Sequence, residues 1–111
     1  MAAHLLDRPV SQDAGLARFA REARNNRLDP EAQEHYGYAL LVSGRADEAV
    51  EWLQHAVNLR PRNPSYHTNL AAALHQTGAW NQGLWHATRA YELNFTHVMA
   101  AVNVGSFHYW L

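Results

Sequence analysis

The chain has 111 residues, 9 basic and 10 acidic side chains, a formal net charge of -1 and no cysteine. That length allows one core or one short stack of elements, and a near-neutral balance argues against a polyanion or an anionic membrane surface as partner. The lack of cysteine excludes disulfides, thiolate metal ligands and a Cys nucleophile, and leaves cytoplasm as the expected compartment.

In chain order, the start MAAHLLDRPV lacks a basic n-region and does not read as a signal peptide, and no apolar stretch of membrane length follows. SQDAGLARFAREARNNRLDP, residues 11–30, predicts a helix capped by Ser11 or Asp13 and ended by Asn25-Asn26 before Pro30. Beyond it the chain repeats with a period of 34: Pro30, Leu40, Gly44, Ala56 and Leu59 align with Pro64, Leu74, Gly78, Ala90 and Leu93. Within a unit the apolar residues keep helical spacing, with Tyr36, Leu40 and Leu41 before the glycine and Ala49, Val50, Leu53, Ala56 and Val57 after it. Gly44 and Gly78 suit the left-handed residue that closes a helix, and Pro61 and Pro64 end one helix and open the next. Each unit therefore predicts a helix-turn-helix hairpin.

A 34-residue hairpin carrying Tyr36-Gly37, Leu40, Ala49, Leu53, Ala56 and Pro61, then Leu70-Ala71, Leu74 and Ala90, resembles the tetratricopeptide repeat. The resemblance implies an all-α fold, an α-α superhelix of about six helices. Residues 1–29 form a degenerate half repeat, 30–63 and 64–97 two repeats, and 98–111 the first helix of an incomplete third. The chain departs from the family pattern at three places. Gln33 and His67 hold a slot usually given to Trp or another large residue, Ala87 replaces an aromatic, and Phe95 stands where Pro61 stands one period earlier. Trp80 and Trp85 are expected to fill the volume lost at Gly83 and Ala87, and Asn94 and Thr96 to make a turn before the last helix.

Chemistry-bearing patterns are sparse. None of the eight His residues pairs with another at a spacing of three or four, so no helix carries two imidazoles on one face, and neither HExxH nor a phosphate-binding glycine loop occurs. The 11-residue spacing of His75, His86, His97 and His108 spreads them over different elements, and Glu31 with His35 reads as a solvated face. Arg18, Arg21, Arg24 and Arg27 read as a solvent-facing stripe balanced by Asp13 and Glu22. No catalytic residues, metal or cofactor are expected.

Function is therefore expected in the concave surface that the resemblance assigns to the first helices. Its slots are Glu31, Glu34, His35 and Tyr38, then Ser65, Thr68, Asn69, Ala72 and Gln76, then Met99, Val102, Asn103, Ser106 and Tyr109. Asn69 and Asn103 share a slot one repeat apart, where two amides would grip the backbone of an extended peptide. With Glu31 and Glu34 at one end and no inward Lys or Arg, the expected ligand is a neutral or basic protein segment with an apolar anchor, and not nucleic acid or membrane. The alternative is the non-catalytic repeat region of a larger enzyme of glycosyltransferase, sulfotransferase or protein hydroxylase type. The uncharged stretch His97–Leu111 predicts self-association through Val102, Phe107, Trp110 and Leu111, as a homodimer or against further repeats.

Overall fold

The computed structural model describes residues 9–102, with side chains over 15–95. Five helices follow one another: α1 Pro9–Asn25, α2 Pro30–Val42, α3 Ala46–Leu59, α4 Pro64–Gln76 and α5 Trp80–Val102. Each packs on the next, and α2 also touches α4, so α2–α3 and α4–α5 stack as two hairpins with α1 at one end.

The two hairpins are punctuated alike. At the start of α2, Asp29 accepts the N–H of Glu31 at 3.0 Å ahead of Pro30; at the start of α4, Asn63 accepts that of Tyr66 at 3.2 Å ahead of Pro64. Proline suits that first helical position because its missing N–H would have no partner there anyway. At the far ends, Gly44 and Gly78 take φ of 82° and 88°, which turns the chain back. The N–H of Arg45 then reaches Leu40 O, and that of Ala79 reaches Leu74 O, each at 2.9 Å.

Leu40, Leu53 and Leu70 are the largest fully buried apolar side chains, joined in one core by Tyr36, Val57, Tyr66 and Leu74. Trp52 closes over Tyr36 edge to face, 5.0 Å between ring centroids. Each hairpin also relies on a glycine where its helices touch. A Cβ on Gly37 would lie 2.6 Å from Leu53 Cγ, and one on Gly83 would lie 3.2 Å from Ala71 O. Gly37 and Ala71 are the same position of the repeat, as are Ala49 and Gly83. The small residue has changed sides between the hairpins.

Four expectations are corrected here. The first helix starts at Pro9, before Ser11 or Asp13, as the fixed φ of proline favours. Five helices are described and not six, because α5 runs unbroken through Asn94-Phe95-Thr96 to Val102. Asn and Thr cost at most about 0.7 kcal/mol each against Ala in a helix, whereas Phe95, unlike Pro61, keeps its N–H for the next backbone bond. Residues 98–102 are thus the end of α5, not the start of a separate helix. Finally, Trp80 and Trp85 are 66% and 60% exposed and fill no volume at Gly83, which is buried by the approach of α4 itself. Asn103, Ser106, Phe107, Tyr109, Trp110 and Leu111 lie outside the described residues, as do the side chains of Met99 and Val102. Among the described residues, no helix is long and apolar enough to cross a membrane.

The contact at Gly37 yields a test. Gly→Ala inside a helix ordinarily stabilises by roughly 0.5–1 kcal/mol. Gly37→Ala instead forces a Cβ into Leu53, and overpacking of this kind costs about 1–3 kcal/mol. Urea unfolding should show net destabilisation by Gly37→Ala that is reduced in a Leu53→Ala background. A Gly37→Ala variant as stable as the parent would refute the close contact.

Candidate functional site

On the expected binding face, α2 and α4 lie side by side. Glu34, half-buried on α2, accepts a hydrogen bond from Asn69 Nδ2 of α4 at 2.6 Å, and its other oxygen lies 3.9 Å from His35 Nε2. Burial pushes the Glu34 carboxyl above the ordinary carboxylate range; the His35 charge and the Asn69 bond oppose this, and Glu31 adds to it. The hydroxyl of Tyr66 is raised as well, first by burial and then by the fields of Glu34 and Glu31. This end of the face is therefore acidic, with His35 and Tyr38 exposed beside it.

The structure thus brings Glu34, His35 and Asn69 together, but it spends part of Asn69. One amide hydrogen is committed to Glu34, leaving one donor and the Oδ1 acceptor. Thr68 bonds its hydroxyl back to Pro64 O at 3.0 Å. Thr68, Ala72 and Gln76 line a separate groove between α4 and α5, with His75, Trp80, Leu84 and Ala87. The expected ligand contacts at Asn103, Ser106 and Tyr109 lie outside the described residues.

The two departures from the family pattern on the first helices act as anchors. Gln33 is fully buried and donates both Nε2 hydrogens, to Ala23 O at 2.8 Å and Asn26 O at 3.0 Å, at the end of α1. One period later His67, also buried, points Nε2 at Pro61 O, 2.7 Å away, just past the end of α3. His55 does the same from α3, with Nε2 at 2.8 Å from Arg27 O, while the Arg27 guanidinium lies over the Trp52 ring. Arg18, Arg21, Arg24 and Arg27 are all exposed, as expected of the stripe.

His67 also meets a residue that spacing alone does not select. Its Nδ1 lies 2.9 Å from Nδ1 of His86 on α5, with the two rings stacked. The tautomers follow from the acceptor. Pro61 O can only accept, so His67 carries its hydrogen on Nε2 and presents a bare Nδ1, to which His86 Nδ1–H donates. Neutral His86 then has Nε2 free for one further proton, and a second proton on the pair would set two N–H groups against each other. Burial first, and then the charge of His67, hold the His86 pKa below its ordinary value of 6.5. The pair borders an open groove of about 1060 Å³ between α3 and α5, shared with Gln54, Asn58, Trp85 and Arg89. The missed signal was the period itself: His86 falls where Trp52 packs on Tyr36 one repeat earlier, so it had to face α4. Among the described residues, no three His, Asp or Glu side chains are grouped to hold a metal ion.

A family model described as TPR repeat matches residues 37–78. No curated protein matches the chain. Among solved structures, MamA from MSR-1 is 28% identical with a TM-score of 0.71, the alignment covering 78% of this chain and 50% of that one. MamA from AMB-1 gives 28% identity and 0.71, covering 78% and 51%, and a MamA mutant gives 27% and 0.73, covering 84% and 52%. The chain spans about half the length of these MamA chains.

The histidine pair predicts a pH dependence. Because the folded-state pKa of His86 is depressed, the unfolded chain binds more protons just below pH 6.5; the stability present above that value is lost as pH falls toward the folded pKa. His86→Asn keeps a donor for His67 Nδ1 without a titrating ring. The melting temperature of the parent should drop more between pH 7 and pH 5 than that of His86→Asn. Parallel profiles would refute the assignment.

Proposed function

Because the chain is a tetratricopeptide-repeat protein, we propose that it is an interaction module that takes a peptide or protein segment across the face of α2 and α4, with no catalysis of its own. The observation that carries this reading is the 2.6 Å link from Asn69 to Glu34, which joins consecutive hairpins into one polar surface. The repeat architecture and the likeness to MamA support a protein-interaction scaffold; the ligand chemistry comes from the side chains.

The free donor and acceptor of Asn69 match the C=O and N–H of one peptide unit, so the amide reads backbone rather than sequence. Glu31 and Glu34 favour a cationic or neutral segment over an acidic one, since an acidic segment would add repulsion to a carboxyl already disfavoured by burial. Tyr38, 48% exposed next to them, offers a ring on which an apolar anchor or a guanidinium can rest.

A peptide selected on the full chain from a random library provides the test. It should be neutral or basic, and the combined Glu34→Ala and Asn69→Ala substitutions should weaken it at least tenfold in calorimetry, given about 1.5–3 kcal/mol for a hydrogen bond to a charged group. Affinity for a basic peptide should also fall as acid protonates Glu34. Unchanged affinity in the double variant would overturn the reading.

A further inference from the structure

The two hairpins end differently, and the first shows what the second lacks. In the first, Leu53 and Val57 of α3 and Leu41 of α2 are 0%, 5% and 7% exposed, because α4 lies across them with Tyr66, Leu70 and Ala73 in the same core. One period on, the same positions are Ala87, Tyr91 and His75, and all three are exposed, Tyr91 by 70%. Trp80, Leu84 and Phe95, at 66%, 66% and 49%, continue the row along α5 at spacings of four, three, four and four through Ala87 and Tyr91. The surface that an α4-like helix would cover is therefore built and open, with a groove of about 510 Å³ between α4 and α5.

The chain also contains a segment in register with α4. Residues 98–110 lie one period after Pro64–Gln76, and Ala100, Val104 and Phe107 take the positions of Tyr66, Leu70 and Ala73. Residues 97–111 hold no Asp, Glu, Lys or Arg, so the segment brings no charge to an apolar face. Residues 98–102 do not lie across their own hairpin, however, because α5 is unbroken from Trp80 to Val102 and carries them onward, about 1.5 Å per residue, beyond the surface they would have to cover.

We propose that residues 98–111 of a second copy cover the α4–α5 face, each copy lending the other its segment in a two-fold exchange. A continuous helix in place of a turn is the ordinary route to such a swap, since the contacts within the unit are kept and only the chain that supplies them changes. Two-fold closure buries both open faces at once and leaves none to propagate a filament. This is a different surface from the one formed by α2 and α4, and neither proposal needs the other.

The test is light scattering on the full chain together with two variants. The parent should elute as a dimer at tens of micromolar. Leu84→Glu, at an exposed site that folding does not need, should be monomeric with unchanged helicity. Phe95→Pro restores the proline found at Pro61, breaks α5 before residue 98, and should give a monomer whose segment folds back in cis, so that its tryptophan emission stays as blue-shifted as that of the parent dimer while that of Leu84→Glu moves to the red. A monomeric parent would overturn the proposal, as would a dimer that survives Leu84→Glu or Phe95→Pro. If Phe95→Pro fails to fold, Leu84→Glu still decides whether this face makes the dimer, and a single-cysteine pair, Ala87→Cys in one chain and Val104→Cys in another, decides the exchange: after the two are unfolded, mixed and refolded together, oxidation by a glutathione disulfide buffer should give an interchain disulfide, and its absence rules the exchange out.

Discussion

The hairpins depend on side-chain N–H groups that pass from a first helix to backbone carbonyls at the end of the preceding unit. Gln33 reaches Ala23 and Asn26; His67 reaches Pro61. The last carbonyls of a helix have no partner within it, and a buried one left unpaired costs about as much as a lost hydrogen bond. A large apolar residue in this slot would fill space and leave those carbonyls to water. Gln and His fill less but fix the angle at which one hairpin meets the next, because a hydrogen bond has direction and a methyl contact does not.

That angle in turn places the polar face. Glu34 is one residue from Gln33 and Asn69 two from His67, so the anchors set the distance between α2 and α4 that a 2.6 Å bond spans. The close approach within each hairpin has the same character. Gly37 faces Leu53 in the first and Gly83 faces Ala71 in the second, so the volume removed from one helix in one repeat is removed from its partner in the other. Large residues cannot be exchanged freely at these positions, although neither carries chemistry.

Most of the fold was legible because it is written in periodic features. The 34-residue register, the left-handed glycines and the opening of a helix at Pro64 each act locally and did so in the structure. What escaped the sequence was whatever depends on two helices at once. His67 and His86 are 19 residues apart and meet only because α4 and α5 are antiparallel neighbours. The sequence offered Asn69 as a candidate groove residue, but not its capture by Glu34, since side chains 35 residues apart choose each other only after the hairpins stack. Trp80 and Trp85 were assigned to the interior on volume alone; they meet only the rim of α4, Trp80 Nε1 donating to His75 O at 3.2 Å and the Trp85 ring lying 6.3 Å from that of His67, and most of each ring stays exposed.

The end of α5 shows how little separates a solenoid from an exchanged one. At position 61 a proline denies the backbone a donor and α3 stops at Leu59. At position 95 a phenylalanine supplies that donor, and the helix gains a hydrogen bond for each residue it adds, against turn preferences at Asn94 and Thr96 of a fraction of a kcal/mol each. The local balance therefore favours continuing. The tertiary balance favours turning back, because the row from Trp80 to Phe95 stays open if the helix goes straight. In the proposed exchange two chains would satisfy both demands: the straight helix keeps its backbone bonds, and the open face would receive a segment of the register it was shaped for. In the exchange we propose, association resolves this conflict between local and tertiary preference, and the residue that tips the local balance does so by keeping the N–H that Pro61 lacks.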